Sequence, residues 1–345
     1  MTHELFDRLK LAGHAGLVLH SSGTTGEPKI VLHDWNLLVK DAMSRHYPHN
    51  KNKVVLAMLG MDHIGGVNTL LFCLANQCRL VFPKARTPKS VCAAIEEYEV
   101  NILPTTPSFL RMLLSSEAYL NHKMSSLHVI SYGTEAMPIE LLTRLREVFY
   151  WVSFKQTYGL TETGILRTQS EPGNSIRMKI GGNTRVVDGM LEVQTETSML
   201  GYLNAPSPYT EDGWYKTGDK VDVDGEYYTI QGRQSDFINV GGEKVNPLRV
   251  ESVIMKMPGV LDCVAYGVTN PILGQVVGIR VQCKDSMTAP VLKRMVKLLC
   301  RPHLSRQEMP IHIERTEYSL LNARGKKVRK TEFVEVTNES TLSNL

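Results

Sequence analysis

The sequence predicts an α/β protein with a large α/β domain, a small β-rich subdomain and a small α+β domain at the C-terminal end. Over the first two-thirds of the chain, short apolar runs alternate with helical patterns. From 181 to 230, shorter β-like runs are separated by Gly and Asp turns. A polar stretch after Gly232 then precedes new strand and helix patterns, so we predict domains at 1–232 and 233–345.

The first domain contains alternating strand and helix candidates. We predict strands in AGLVLH, KVVLAML, RLVFP, VNILPTT, LHVISYG and WVSFKQTYG. We predict helices at 88–98, 107–115 and 138–149, and a buried helix running into a strand over 66–82. This alternation favours parallel strands in layers with helices.

Two later segments have clear periodicity. The runs RVVDGMLEVQT and EYYTI predict a small antiparallel unit. Residues 288–301 predict an amphipathic helix whose apolar side carries Val291, Leu292, Met295, Val296 and Leu299.

Composition excludes several classes of protein. With 345 residues and 42% hydrophobic content, the chain can form a substantial core, and a net charge of +4 is too small to predict a nucleic-acid partner. We read no targeting segment and no membrane span, and therefore expect a cytoplasmic protein. The six cysteines form no CxxC pair, so we expect buried free thiols. Basic residues outnumber acidic ones over 284–330, which predicts a solvated face, with an anionic partner as the alternative.

The segment LVLHSSGTTGEPKIVLHDW predicts a loop between two apolar strands. Glycines that permit unusual backbone angles, hydroxyl side chains and a lysine together form a suitable cradle for phosphate oxygens. A Walker A loop is excluded because Glu27 and Pro28 precede the lysine and Ile30 replaces the required hydroxyl residue. Composition alone leaves a flexible turn as an alternative. The candidate phosphate ligands are Ser21, Ser22, Gly23, Thr24, Thr25, Gly26 and Lys29.

The string SSGTTGEPK resembles the phosphate-binding motif of the adenylate-forming superfamily, which includes acyl-CoA synthetases, peptide-synthetase adenylation domains and firefly-type luciferases. Further segments resemble the other family motifs in family order, and the resemblance covers about 17–333. These segments are MLGMDHIGGV, SYGTEAMP, QTYGLTETG, EDGWYKTGDK, GRQSDFINVGGEKVNP and YSLLNARGKKVRKTEF.

The resemblance implies a role for each motif residue in the first domain. His63 would border the acyl pocket. Gly133, Thr134 and Glu135 would lie against adenine and near the substrate. In the family's YGxTE element the tyrosine packs on adenine, the threonine contacts phosphate and the glutamate holds Mg²⁺, and these roles fall on Tyr158, Thr161 and Glu162. A helix-start carboxylate is the alternative for Glu162.

Further implied roles fall on Asp219 and the C-terminal part. Asp219 would accept both ribose hydroxyls, and Arg233 would reach the ribose or phosphate. Gly241 and Gly242 would lie in the loop that faces the active site for the second half-reaction. Lys326 would contact the α-phosphate and carboxylate, with a plain basic tail as the alternative. The residue two after the arginine departs from the family's Asp or Lys, since this chain has Ser235 at the pivot of a mobile C-terminal domain.

The resemblance implies ATP-dependent activation of a small carboxylic acid through an acyl-adenylate, with Mg²⁺, followed by transfer to CoA or a phosphopantetheine thiol. Lys326, Glu162, Thr161 and His63 would be the catalytic residues. Transfer to an amine or protein acceptor, and a catalytically reduced nucleotide-binding subunit, are the alternatives. The pocket candidates are mostly uncharged, which favours an aromatic or aliphatic acid over an amino acid, with Asp62 as the exception. These candidates are His63, Gly66, Thr105, Tyr132, Thr134 and Gly159.

Family members normally carry a sizeable subdomain before the phosphate loop, whereas the loop here begins at residue 21. We therefore expect a short member lacking that subdomain. Homo-oligomerisation and a partner subunit are hypotheses that follow from this expectation. A carrier protein is the partner that a phosphopantetheine acceptor implies.

Overall fold

The structure is a computed structural model that describes residues 4–21, 28–284, 286–318, 320 and 327–329. The chain divides into two compact units, Met1–Ile230 and Gln231–Leu345. The fold is a large N-terminal α/β domain with a β-rich part, followed by a small α+β C-terminal domain.

The helices described in unit 1 are α1 (Glu4–Ala12), α2 (Trp35–Met43), α3 (Ile64–Asn76), α4 (Pro88–Tyr98), α5 (Pro107–Ser116) and α6 (Ile139–Val148). Its strands are β1 (Gly16–Ser21), β2 (Lys29–Asp34), β3 (Val54–Leu56), β4 (Arg79–Val81), β5 (Ile102–Thr105), β6 (Val129–Tyr132), β7 (Ser153–Gln156), β8 (Tyr158–Leu160), β9 (Gly164–Leu166), β10 (Thr168–Ser170), β11 (Met178–Ile180), β12 (Asn183–Val187), β13 (Met190–Gln194), β14 (Gly201–Tyr202), β15 (Tyr215–Asp224) and β16 (Tyr227–Arg233), which crosses the division.

A parallel sheet in the order β4-β3-β5-β6-β7 organises the first half of unit 1. Helices connect its strands, as the alternation predicts. Two of these helices begin where a threonine precedes a proline: Thr87 and Thr106 each cap the helix through Oγ1, and the next residue is the proline. The core of this layer contains Ile95, Leu103, Leu110, Ile130 and Leu142.

The strand AGLVLH does not join the parallel sheet, so that part of the prediction is wrong. Instead β1 and β2 form an antiparallel hairpin in which Ser21 pairs with Lys29, and β14 adds to β2. The cause is the short loop between the two strands, since parallel neighbours need a crossover of a dozen or more residues. The candidate phosphate loop therefore connects two antiparallel strands.

The β-rich part of unit 1 is larger than predicted. A sheet in the order β10-β11-β16-β15-β13-β12 includes the antiparallel hairpin β12–β13 that RVVDGMLEVQT predicts. Strands β10 and β11 precede the predicted range of 181–230 and pair with each other. The buried side chains of this part include Met178, Leu191 and Val193.

Unit 2 contains α7 (Pro247–Ile254) and α8 (Ala289–Cys300), with β17 (Ile238–Val240), β18 (Glu243–Val245), β19 (Val260–Asn270), β20 (Gly274–Cys283) and β21 (His312–Thr316). The sheet order is β18-β17-β20-β19, and β21 pairs with β20 in parallel. The predicted amphipathic helix is α8, but Val291 is exposed, while Cys300 joins Leu292 and Val296 in the core. The apolar stripe thus follows the spacing of Leu292, Val296 and Cys300.

The described residues include all six cysteines and the helices that bear on a membrane span. All six cysteines are free thiols, and five are buried, with Cys78 half-buried. No helix among the described residues combines the length and the apolar character that crossing a bilayer requires.

Candidate active site

Several of the sequence-predicted site residues of unit 1 lie just beyond the carboxyl ends of strands in the parallel sheet. His63 follows β3, Gly133 and Glu135 follow β6, and Tyr158 follows β7. Because parallel strands end at the same edge of their sheet, these segments gather at one edge, which is where ligands bind in open α/β sheets. Thr105, a candidate for the acyl pocket, ends β5 at the same edge.

Close backbone approach explains why glycine occupies position 133. A Cβ atom there would lie 2.4 Å from the Thr157 hydroxyl oxygen and 2.8 Å from the Thr157 carbonyl oxygen. The next residue, Thr134, has a φ of 69°, which a threonine adopts only when its surroundings impose it. Glu135 accepts hydrogen bonds from the Ser108 hydroxyl at 2.5 Å and the Ser108 N–H at 3.2 Å. Its carboxylate therefore binds the N-terminal turn of α5, a structural contact that the sequence does not predict.

His63 is the N-cap residue of α3, and its side chain makes no capping hydrogen bond. Its Nε2 atom lies 3.4 Å from Oδ2 of Asp62, and both side chains are partly exposed. The helix behind it packs closely on the preceding loop, since a Cβ at Gly66 would lie 2.0 Å from the Gly60 carbonyl oxygen. The loop after β3 and the first turn of α3 are thus closely packed beyond the carboxyl end of β3.

Residues 161–163 form the turn of the β8–β9 hairpin, in which Tyr158 pairs with Leu166. Glu162 therefore lies in a hairpin turn, and the alternative of a helix-start carboxylate is wrong. A Cβ atom at Gly159 would lie 2.4 Å from the Gly164 carbonyl oxygen, so the hairpin needs glycine there.

The Glu162 carboxylate is buried, with 8% of the residue exposed. It accepts a 3.0 Å hydrogen bond at Oε1 from the Tyr202 hydroxyl. The Lys29 ammonium lies over the ring of the same tyrosine, 4.7 Å from the ring centroid, in a cation–π contact. Tyr202 therefore joins the lysine that ends the candidate phosphate loop to the candidate magnesium carboxylate.

His33 is almost fully buried on β2, with 1% of the residue exposed. Its Nε2 atom lies 2.6 Å from the Thr161 carbonyl oxygen. Burial lowers the pKa of His33, and the carbonyls of Thr161 and Thr197 and the charge of Glu162 partly oppose this shift. The neutral imidazole donates through Nε2, because a carbonyl oxygen can only accept.

The Tyr158 hydroxyl donates a 2.6 Å hydrogen bond to Oδ2 of Asp219. Both residues are buried. The backbone at Asp219 is fixed as well, since its N–H donates to the Thr217 hydroxyl oxygen at 3.0 Å. The structure thus brings together the two residues that the resemblance assigns to adenine and ribose.

Of the candidate phosphate loop, Ser22, Gly23, Thr24, Thr25 and Gly26 lie outside the described residues. Its ends are described: Ser21 is buried, and Lys29 is half-buried. Asn204 bonds the chain on both sides of Lys29, accepting from the Ile30 N–H at 2.8 Å and donating to the Pro28 carbonyl at 3.0 Å. The C-terminal end of the loop is therefore firmly held.

The predicted residues of the C-terminal part belong to unit 2. Arg233 precedes a short 3-10 helix, Gln234–Asp236, and Gly241 and Gly242 have φ angles of 60° and 93° in the β17–β18 turn. Lys326 lies outside the described residues. The approach of these residues to the unit 1 site stays a prediction.

A buried ionic cluster follows Lys326 in the chain. The Lys327 ammonium lies 2.9 Å from Oε2 of Glu251 and 3.1 Å from Oδ1 of Asp262, and the Arg329 guanidinium donates to Oε1 of Glu251. The Ala265 N–H adds a 2.9 Å hydrogen bond to Oε1 of Glu251. Lys327 and Arg329 are therefore structural cations, which contradicts the prediction of a solvated face at these two positions.

A separate cavity of about 770 Å³ lies at the opposite, amino-terminal edge of the parallel sheet, beside Asn52, Arg79, Asn101 and His128. No residue that the sequence predicts for the site lines it.

Sequence reasoning missed three residues of this site: His33, Tyr202 and Asn204. The signal for His33 is a histidine directly after the apolar run IVL of the strand KIVLHD. Tyr202 and Asn204 occupy the short segment GYLN, which carries no pattern of its own.

Comparison with known proteins identifies the family of the chain. A family model described as AMP-binding enzyme matches residues 12–198, and a model described as AMP-binding enzyme C-terminal domain matches 249–326. A substituted indenyl-propanoyl:CoA ligase of Rhodococcus jostii is 26% identical over 328 residues, which cover 90% of this chain and 63% of the relative. The chain thus spans less than two-thirds of that relative's length.

Two solved structures share the fold. A crystal structure of an anthranilate CoA ligase in complex with anthranoyl-AMP superposes with a TM-score of 0.78 at 24% identity, covering 90% of this chain and 65% of that one. An amide bond synthetase from Marinactinospora thermotolerans superposes with a TM-score of 0.72 at 22% identity, covering 90% of this chain and 67% of that one. With the family models matching most of the chain in two successive segments, this protein belongs to the AMP-binding enzyme family, the adenylate-forming superfamily.

Proposed function

We propose that the protein activates a small carboxylic acid with ATP through an acyl-adenylate and passes the acyl group to a thiol, either of CoA or of phosphopantetheine. The observation that carries this proposal is the contact of Lys29 and Glu162 with one side chain, Tyr202. A cation at the end of a Ser/Thr/Gly loop and a buried carboxylate beside it suit a polyphosphate and its metal ion.

The residues present fit a magnesium ion with ATP. Mg²⁺ in nucleotide sites is usually held by one or two carboxylates together with phosphate oxygens and water. The Glu162 carboxylate supplies a hard oxygen ligand, and Tyr202 orients that carboxylate through Oε1. When bound, the ion would neutralise charge on the phosphates.

Two steps follow from this arrangement. In the first, a carboxylate oxygen of the acid attacks the α-phosphorus, the bond to the bridging oxygen breaks, and pyrophosphate leaves with the electron pair. In the second, the thiol sulfur attacks the acyl carbon, AMP leaves, and the thiol proton passes to solvent. In this proposal, Thr161 and Lys29 contact phosphate oxygens, and Lys326 stabilises charge on the α-phosphate.

The proposal assigns further nucleotide contacts to residues of both units. Tyr158 packs on adenine while its hydroxyl orients Asp219 toward the ribose. Gly133 and Thr134 line the base, and Arg233 and the Gly241–Gly242 turn act from unit 2. His63 borders the acyl group.

A second acceptor class is supported by one observation. The fold matches an amide bond synthetase almost as closely as it matches a CoA ligase, with TM-scores of 0.72 and 0.78. Transfer to an amine is therefore the second candidate function.

Incubation with MgATP, a library of carboxylic acids and either CoA or amines, followed by mass spectrometry, tests both candidates. We expect AMP and an acyl-CoA product. Formation of AMP with an amide product alone would favour the second candidate, and a lack of AMP with every acid would contradict both. Asp219→Asn serves as the negative control, because an amide is a weaker acceptor for two ribose hydroxyls.

A further inference from the structure

The hairpin turn that carries Thr161 and Glu162 has three successive backbone carbonyl groups that accept hydrogen bonds from residues outside the hairpin. The Thr161 carbonyl accepts from His33 at 2.6 Å, the Glu162 carbonyl accepts from the Met199 N–H at 2.7 Å, and the Thr163 carbonyl accepts from the Thr197 hydroxyl at 2.8 Å. These three hydrogen bonds fix the backbone of the turn relative to the strands around it.

The three contacts come from two different parts of unit 1. Met199 and Thr197 lie on the segment that leads into β14. His33 lies on β2, the strand that also carries Lys29. His33 is therefore the contact that joins the hairpin of the phosphate loop to the turn of the candidate metal ligand.

The chemistry of His33 suits a rigid tether. Its imidazole is buried, its lowered pKa favours the neutral form, and its Nε2–H donates to the Thr161 carbonyl oxygen at 2.6 Å. An imidazole has two torsions, so it holds its donor in place at a small cost in side-chain entropy.

We propose that His33 is a positioning residue for metal-dependent nucleotide binding, which sets the Thr161–Glu162 turn relative to Lys29 by binding the Thr161 carbonyl. This inference rests on the proposed function, because it assumes that Glu162 holds the magnesium ion of MgATP. His33 itself contacts neither the nucleotide nor the ion. Its role resembles that of the outer partners that orient metal ligands in other proteins.

A purely structural role for His33 predicts a different outcome. Loss of the hydrogen bond would then lower the free energy of unfolding and leave nucleotide binding by the folded protein unchanged. The two roles are separated by measuring the ATP affinity with and without Mg²⁺.

The test uses the full chain and calorimetric titration of ATP in Mg²⁺ and in EDTA. His33→Met fills a similar volume without a donor, whereas His33→Gln keeps an N–H near the position of Nε2. We expect His33→Met to raise the Mg²⁺ concentration needed for half-maximal ATP binding about 10-fold. His33→Gln should recover most of this loss, and the affinity in EDTA should be unchanged in both variants. If His33→Met does not fold, His33→Asn replaces it, since its shorter side chain leaves the amide out of reach.

His46 provides a matched control. Its Nδ1 atom makes a 2.6 Å hydrogen bond with the Ala75 carbonyl at the end of α3, outside the site. His46→Met should therefore lower stability without changing the Mg²⁺ requirement.

Two outcomes would contradict the inference. If His33→Met binds ATP with the wild-type Mg²⁺ requirement, while Glu162→Ala no longer shows Mg²⁺-dependent ATP binding, the positioning role is wrong and the proposed function stands. If the wild-type protein shows no Mg²⁺-dependent ATP binding, the proposed function fails and this inference fails with it.

Discussion

The hydroxyl of Tyr158 and the carboxylate of Asp219 are joined by a 2.6 Å hydrogen bond across 61 residues of sequence. The bond connects the strand that follows the parallel sheet with a strand of the β-rich sheet. Because both residues are buried, the carboxylate has a defined orientation before any ribose arrives. In the proposed function this preorganisation lowers the cost of ordering the site on binding.

Replacing Tyr158 with phenylalanine tests that preorganisation. The ring remains, but Asp219 loses a donor, so we expect ATP binding to weaken by about 1 kcal/mol, roughly five-fold in Kd. Calorimetric titration measures this change. Tyr228→Phe is the control, because it removes a hydroxyl that bonds Thr184 instead. Equal affinities for the wild type and Tyr158→Phe would show that the bond does not prepare the ribose site.

Replacing Tyr202 with phenylalanine separates its two contacts. The variant keeps the ring beside Lys29 and removes the donor to Glu162. We expect the Mg²⁺ concentration for half-maximal activity to rise about 10-fold, with the KM for the carboxylic acid unchanged. Tyr202→Leu removes both contacts and should also weaken ATP binding in EDTA. An unchanged Mg²⁺ requirement in Tyr202→Phe would argue against Glu162 as the metal ligand.

Gly159→Ala should disrupt the hairpin that carries Thr161 and Glu162. The new Cβ would lie 2.4 Å from the Gly164 carbonyl oxygen and 2.8 Å from the Ile165 Cα, so the strands must separate. We expect a loss of about 1–3 kcal/mol in the free energy of unfolding and a large loss of adenylation activity. Gly189→Ala adds a side chain at a φ of 74° in open space and should lower stability alone. Full activity in Gly159→Ala would contradict a role for this hairpin.

The ionic cluster in unit 2 makes stability depend on pH. Burial would raise the pKa of Glu251, but the charges of Arg329 and Lys327 outweigh it and lower the pKa to about 2. A depressed carboxyl pKa contributes stability above the unfolded value of about 4.3, and that contribution disappears as the pH falls toward 2. We therefore expect unit 2 to lose stability below about pH 4.3, with Glu251→Gln lacking this part of the dependence.

Urea unfolding between pH 7 and pH 3 measures the effect. The tryptophans Trp35, Trp151 and Trp214 all lie in unit 1, so fluorescence follows unit 1 while circular dichroism follows both units. At pH 7, Glu251→Gln should lower the free energy of unfolding by about 3–5 kcal/mol, because Lys327 and Arg329 both lose the buried Glu251 carboxylate and, among the described carboxylates, Lys327 keeps only Asp262. Identical pH dependence in the wild type and the variant would rule out Glu251 as the titrating group.

The starts of helices could be predicted from the sequence where they depend on neighbouring residues. The helices α4 and α5 begin where a threonine cap precedes a proline, and both residues are readable in the sequence. The carboxyl-edge position of Gly133 and Tyr158 follows from the strand patterns before them. The family resemblance added their chemical roles.

Long-range contacts could not be read in the same way. His33 meets Thr161 across 128 residues, and Tyr202 meets Glu162 across 40. No periodicity links such positions, because the contact depends on how separate sheets pack. The same limit explains the strand β1, whose apolar pattern is compatible with either a parallel or an antiparallel neighbour.

The most direct test of the central claim is the exchange of labelled pyrophosphate into ATP in the presence of Mg²⁺ and a carboxylic acid. We expect carboxylate-dependent exchange by the wild-type protein. Lys326→Ala should abolish that exchange and largely spare thiolysis of a supplied acyl-adenylate, because Lys326 serves the first step. Retained exchange in Lys326→Ala would contradict the role of that lysine, and a lack of exchange by the wild type with every acid would contradict carboxylate activation itself.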